Sequence, residues 1–120
     1  MKVADLDGAD LDYWVARAMK LSGATIENDR CWIVVPGRDV DEPPRVELFS
    51  PSTTWAQCGP IMEKLCISTA FEPDSAADAP EGCWEAYVQP VTARIFWGET
   101  PLVAGMRAAV NYRFGSDISG

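Results

Sequence analysis

Apolar residues recur at three- and four-residue intervals through Leu11, Trp14, Val15, Ala18 and Leu21, which predicts an amphipathic helix over about residues 8–21. Asp7 is placed to cap its start, Asp10 follows in a capping-box-like position, and acid in the first turn complements the helix dipole. Asp12 and Arg17 fall off the apolar stripe, facing elsewhere, and Ser22 with Gly23 supplies a stop. The pattern then shortens to that of strands. "CWIVVPG" (31–37) is β-branched and aromatic, and "RVELFS" (45–50) alternates apolar Val46 and Leu48 with polar Glu47, so the two predict an antiparallel pair. Between them, "PGRDVDEPPR" (36–45) reads as a connection, because successive prolines and charges oppose regular structure.

"STAFEPDSAADAPEG" (68–82) reads as an acid-containing loop, and "CWEAYVQ" and "TARIFWGE" on either side of Pro90 as a hairpin carrying Trp84, Tyr87, Ile95 and Trp97. A last helix begins with Thr100 as cap and Pro101 at its first position, where no backbone donor is needed. Leu102, Val103, Met106, Ala109 and Val110 give its apolar face, and Gly115 its stop. These elements predict an α+β fold in one globular domain over residues 1–120. Its frame is a mainly antiparallel sheet of about four strands, with the N- and C-terminal helices packed on one face and a short helix in the middle.

The middle stretch "FSPSTTWAQCGPIMEKLC" (49–66) admits two readings. In the structural one, Ser50-Pro51 turns the chain and Ser52 or Thr53 bonds to the backbone of a short turn. Gly59-Pro60 then starts a helix that buries Ile61, Met62 and Leu65 and leaves Glu63 and Lys64 wet, with Trp55 as a buried anchor. In the other, the loop is a recognition surface: Ser52, Thr53, Thr54 and Gln57 offer donors and acceptors beside the Trp55 indole, and a helix starting at Gly59 presents free N–H groups to an anion. Arg107 on the last helix would complete such a site if it reached the loop, and Asp12 would add a polar contribution. Otherwise Arg107 belongs to a solvated helix face or an ion pair.

Composition narrows the chemistry. The 120 residues contain no histidine, which excludes a Ser-His-Asp triad, a Cys-His dyad and imidazole metal ligands. The four cysteines form no CxxC pair, so they are expected as thiols of a cytosolic protein, with no metal site, and no glycine-rich phosphate loop is present. No catalytic residue and no cofactor is assigned. Eighteen acidic residues against ten basic ones leave a net charge of −8, which opposes nucleic-acid binding by charge. No apolar run is long enough for a membrane span, and no export signal opens the chain.

"LDGADLDYWVARA", "SPSTTWAQCGPIMEK" and "ETPLVAGMRAAVNYRFG", in this order and at these separations, resemble the small phage and prophage proteins called NinX-like. In that family an Asp often stands where Thr54 is and a Gly where Cys58 is. The resemblance implies origin in phage or prophage DNA and action in the bacterial cytoplasm; it implies no reaction, cofactor or substrate. Two readings of function follow. One is a non-catalytic accessory protein binding a phage or host protein through an aromatic-bearing surface, for which five tryptophans are available. The other is a small-ligand-binding or catalytic domain using the 50–60 loop and the final helix. An acidic surface imitating DNA is a third, weaker option, and oligomeric state stays open.

Overall fold

The computed structural model describes residues 1–72, 83–88 and 95–118. The first helix, α1, spans Gly8–Ala18. Extended Asp7 leads into Gly8 at φ 52°, a left-handed turn suited to glycine, and the first helical bond runs from Leu11 N–H to the Asp7 carbonyl. Asp7 makes no side-chain cap. The helix ends three residues earlier than its periodicity implies, because Lys20 turns left-handed at φ 59° before Ser22 and Gly23 are reached. Trp14 sits edge-on to Phe114, and the Arg17 guanidinium covers its ring at 4.7 Å, joining α1 to the end of the last helix.

A three-stranded antiparallel sheet follows, from β1 (Thr25–Glu27), β2 (Arg30–Val35) and β3 (Arg45–Leu48) in that order. The β2–β3 pair is the expected one, with Trp32 opposite Leu48 and Val34 opposite Val46. The β1 strand was not expected; it is three exposed residues joined to β2 by Asn28 and Asp29, both at positive φ, a tight hairpin turn. The next helix, α2, spans Trp55–Leu65, and its C-cap Cys66 is left-handed.

A second sheet, β4 (Ile67–Glu72), β5 (Cys83–Val88) and β6 (Phe96–Gly98), is also antiparallel and consecutive. The expected hairpin is present as β5–β6, with Trp84 opposite Gly98 and Ala86 opposite Phe96, while the turn around Pro90 lies outside the described residues. The expected loop at 68–82 is corrected at its start: Ser68 to Glu72 belong to β4, paired along the whole of β5, and the remainder lies outside the described residues. The last helix, α3, spans Pro101–Phe114; Thr100 Oγ1 accepts the Val103 N–H at 3.2 Å, and Gly115 at φ 86° ends it.

The fold is therefore α+β, but among the described residues the single sheet of about four strands is replaced by two sheets of three. Each has its own helix: α1 packs on β1 and β2, α3 packs on β4, β5 and β6, and α1, α2 and α3 meet at α3. The buried core runs through this junction, from Leu11 and Val15 on α1 to Ile61 and Met62 on α2 and Met106, Ala109 and Val110 on α3. Where α3 approaches β6, Gly98 is needed for space, since a Cβ there would lie 2.7 Å from the Ala104 nitrogen.

Candidate functional site

The loop after β3 is held from both sides. The side chain of Gln57 reaches back from the first turn of α2: its carbonyl accepts the Ser50 N–H at 2.7 Å and its amide donates to the Leu48 carbonyl at 2.9 Å. Ser50 and Thr54 hydroxyls share a 2.8 Å bond, and Thr53 Oγ1 donates to the Ser50 carbonyl at 3.4 Å. The Thr54 carbonyl accepts from Gln57 and Cys58, so α2 starts at Trp55 rather than at Gly59-Pro60. Pro60 sits inside the helix, where it removes one backbone donor. The free N–H groups expected at Gly59 are thereby moved to the turn that Thr54 begins. Trp55 is also corrected: it stands on the outer side of α2, 58% exposed, with its indole over Gly59, because a start one turn earlier rotates it away from the core. Ile61 and Met62 are buried, and Glu63 and Lys64 are exposed.

Replacing Gln57 with Ala is expected to cost about 1–2 kcal/mol, since two backbone groups of a partly buried loop lose their partner and water reaches them only in part. A urea unfolding curve with lowered midpoint and unchanged slope checks this.

Opposite this clamped loop lies the start of α1. Asp12 does not face solvent; it is 5% exposed, and its Oδ1 accepts the Ser52 N–H at 2.8 Å across 40 residues of sequence. Its pKa is raised from the ordinary aspartate value by burial, against the lowering effect of the Ser52 N–H bond and of the Ser52 hydroxyl beside it. That hydroxyl lies outside hydrogen-bond geometry and, buried at 3% exposure, has no partner among the described residues. Around the pair opens a cleft of about 410 Å³. Gly8 and Ala9 form one wall, Asp29, Arg30 and Cys31 the second, and Leu48, Ser50 and Ser52 to Thr54 the third.

The cleft thus unites three of the sequence-predicted site residues, Asp12, Ser52 and Thr54. Trp55, Gln57 and Gly59 do not line it. Arg107 is elsewhere: its Nε donates to the Leu6 carbonyl at 2.8 Å and its Nη1 to the Trp97 carbonyl, so it is neither on a solvated face nor at the loop. Burial lowers its pKa, with Asp7, Asp5 and Glu99 opposing. Asp29, Arg30 and the N-terminus of α1 are members the sequence reading missed; the Asn28-Asp29 pair between two strand-forming runs was the available signal for the turn that brings them there.

Cysteine chemistry is not favoured at this place. Burial first, and the Asp12 charge second, push the Cys31 and Cys58 thiols up to about 11, so both stay protonated near neutrality. Cys58 instead donates to the Met62 sulfur at 3.4 Å. Among the described residues no group of three or more His, Cys, Asp or Glu is arranged to hold a metal ion.

A second surface adjoins the cleft at Leu48 and Arg30. Pairing places Trp32, Val34, Val46 and Leu48 on the face of the first sheet turned away from α1, while Cys31 and Ile33 face the core. Val46 is 65% and Leu48 37% exposed, and Gly23, Thr25, Trp32, Val34 and Val46 border an open depression of about 460 Å³.

These features define a small acidic α+β protein with an open apolar sheet face and a polar cleft beside it. A family model described as "Bacteriophage P22, NinX" matches residues 2–113, and the chain belongs to that phage family. A search of curated proteins finds no match. Among the described residues no helix is long and apolar enough to cross a membrane.

Proposed function

We propose that this protein is a non-catalytic phage accessory protein that binds another protein, of phage or host origin, through the outer face of its first sheet. The observation that supports the reading is that Trp32, Val34, Val46 and Leu48 share one face over which no helix lies among the described residues, although the opposite face already supplies the core. Contiguous apolar side chains left in water are disfavoured unless a partner covers them. The partner is one whose matching surface is apolar with a basic rim, since the chain carries a net charge of −8 and Glu27 borders the face.

The test compares tagged wild type with Val46→Glu and Val40→Glu, captured from cells in which the phage is induced. Val40 is fully exposed in the β2–β3 connection and serves as the control. A protein recovered with wild type and Val40→Glu, reduced by about tenfold or more with Val46→Glu, and released by added salt is the expected result. Equal recovery by all three proteins, or self-association of the purified protein abolished by Val46→Glu with no other partner retained, overturns the reading.

A further inference from the structure

The polar cleft calls for a different ligand from the sheet face. Its electrostatics are mixed. Asp7 makes no side-chain cap, so the first-turn N–H groups of Gly8 and Ala9 have no partner among the described residues, and with Arg30 they favour oxygen acceptors. Asp12 and Asp29 favour donors. An anion entering the cleft would meet the two carboxylates, and a cation would meet the helix N-terminus and Arg30, so neither charge is matched on its own. Two side chains more than nine-tenths buried stand in the wall with hydrogen-bonding capacity left over: Ser52, whose hydroxyl has no partner, and Asp12, whose Oδ1 alone is engaged by a backbone donor. Thr53 and Thr54 add hydroxyls at the rim.

We propose that the cleft binds a neutral vicinal diol, as found on a monosaccharide or on the ribose of a nucleoside. Such a group donates two adjacent O–H bonds to one carboxylate and accepts through the same oxygens, which satisfies Asp12, Ser52 and the α1 N–H groups without bringing a charge. The cleft volume of about 410 Å³ lies in the range of small-molecule sites.

The experiment titrates isotopically labelled protein with D-glucose, adenosine, 2′-deoxyadenosine, L-lysine and inorganic phosphate, following backbone amide resonances. Shifts confined to residues 8–9, 29–31 and 52–54 with D-glucose and adenosine support a general diol site. The same shifts with adenosine, but with neither D-glucose nor 2′-deoxyadenosine, support a ribose site. Asp12→Asn keeps an acceptor for the Ser52 N–H but presents an amide to the cleft, and should weaken binding by about tenfold or more with the folded spectrum intact. Equal response to adenosine and 2′-deoxyadenosine, response to lysine or phosphate alone, no response to any probe, or binding untouched by Asp12→Asn would each overturn the proposal.

Discussion

Arg107→Met is expected to lower the stability of the protein by about 2–4 kcal/mol, read as a fall in the urea midpoint. The guanidinium donates to two carbonyls from distant parts of the chain, Leu6 before α1 and Trp97 in β6, and so ties the N-terminal segment and the edge of the second sheet to α3. A bond from a charged donor contributes roughly 1.5–3 kcal/mol, and the side chain is only partly buried, which places two of them below their simple sum. Methionine fills much of the same volume, so the loss reports the bonds and not a cavity. Lysine should fall between the two, because its single ammonium cannot reproduce the forked geometry that holds both carbonyls. A Lys variant as stable as wild type would show that charge alone matters at this position.

That role was hidden in the sequence for a physical reason. The spacing of Leu102, Met106, Ala109 and Val110 describes α3 well, and Arg107 falls outside the stripe, where a helical pattern in isolation assigns it to water. The pattern carries no information on β6 and the Leu6 segment, which wrap the rest of the helix. Asp12 misled in the same way, since its burial depends on a loop forty residues later. Local signals were reliable where the chemistry is local: Thr100 and Pro101 start α3, Gly115 ends it, and the β2–β3 and β5–β6 pairs follow from branched and aromatic runs. They failed where tertiary contacts outweigh propensity. Gly59-Pro60 reads as a helix start, yet Gln57 and Thr54 fix the turn before it; Ser68 and Thr69 read as loop, yet β5 supplies a strand to pair with. Half of the cleft was legible, as Ser52, Thr54 and Asp12. The other half was not, because Asp29 and Arg30 enter through a two-residue turn and Gly8 and Ala9 contribute backbone rather than side chains.

Asp12 also separates stability from binding in a way that pH can resolve. Its pKa in the folded protein is raised above its unfolded value, so just above about pH 4 the folded state keeps a proton that the unfolded chain has lost. The contribution of this group to stability is therefore full below the unfolded pKa and declines as pH rises through the folded one. Asp12→Asn removes that decline while leaving an oxygen for the Ser52 N–H and an amide donor for the unpartnered Ser52 hydroxyl. The Asn variant should be more stable than wild type at neutral pH, with the advantage shrinking as pH falls from the folded pKa toward the unfolded value of about 4 and levelling below it. Asp12→Ala should instead lose about 1–3 kcal/mol at neutral pH, because the Ser52 N–H is left buried without an acceptor. Urea titrations of the three proteins between acid and neutral pH distinguish these outcomes. An Asn advantage that grows toward acid would mean that the carboxylate is stabilised as a charge in this fold, and the balance of burial against the Ser52 bond would have to be reversed.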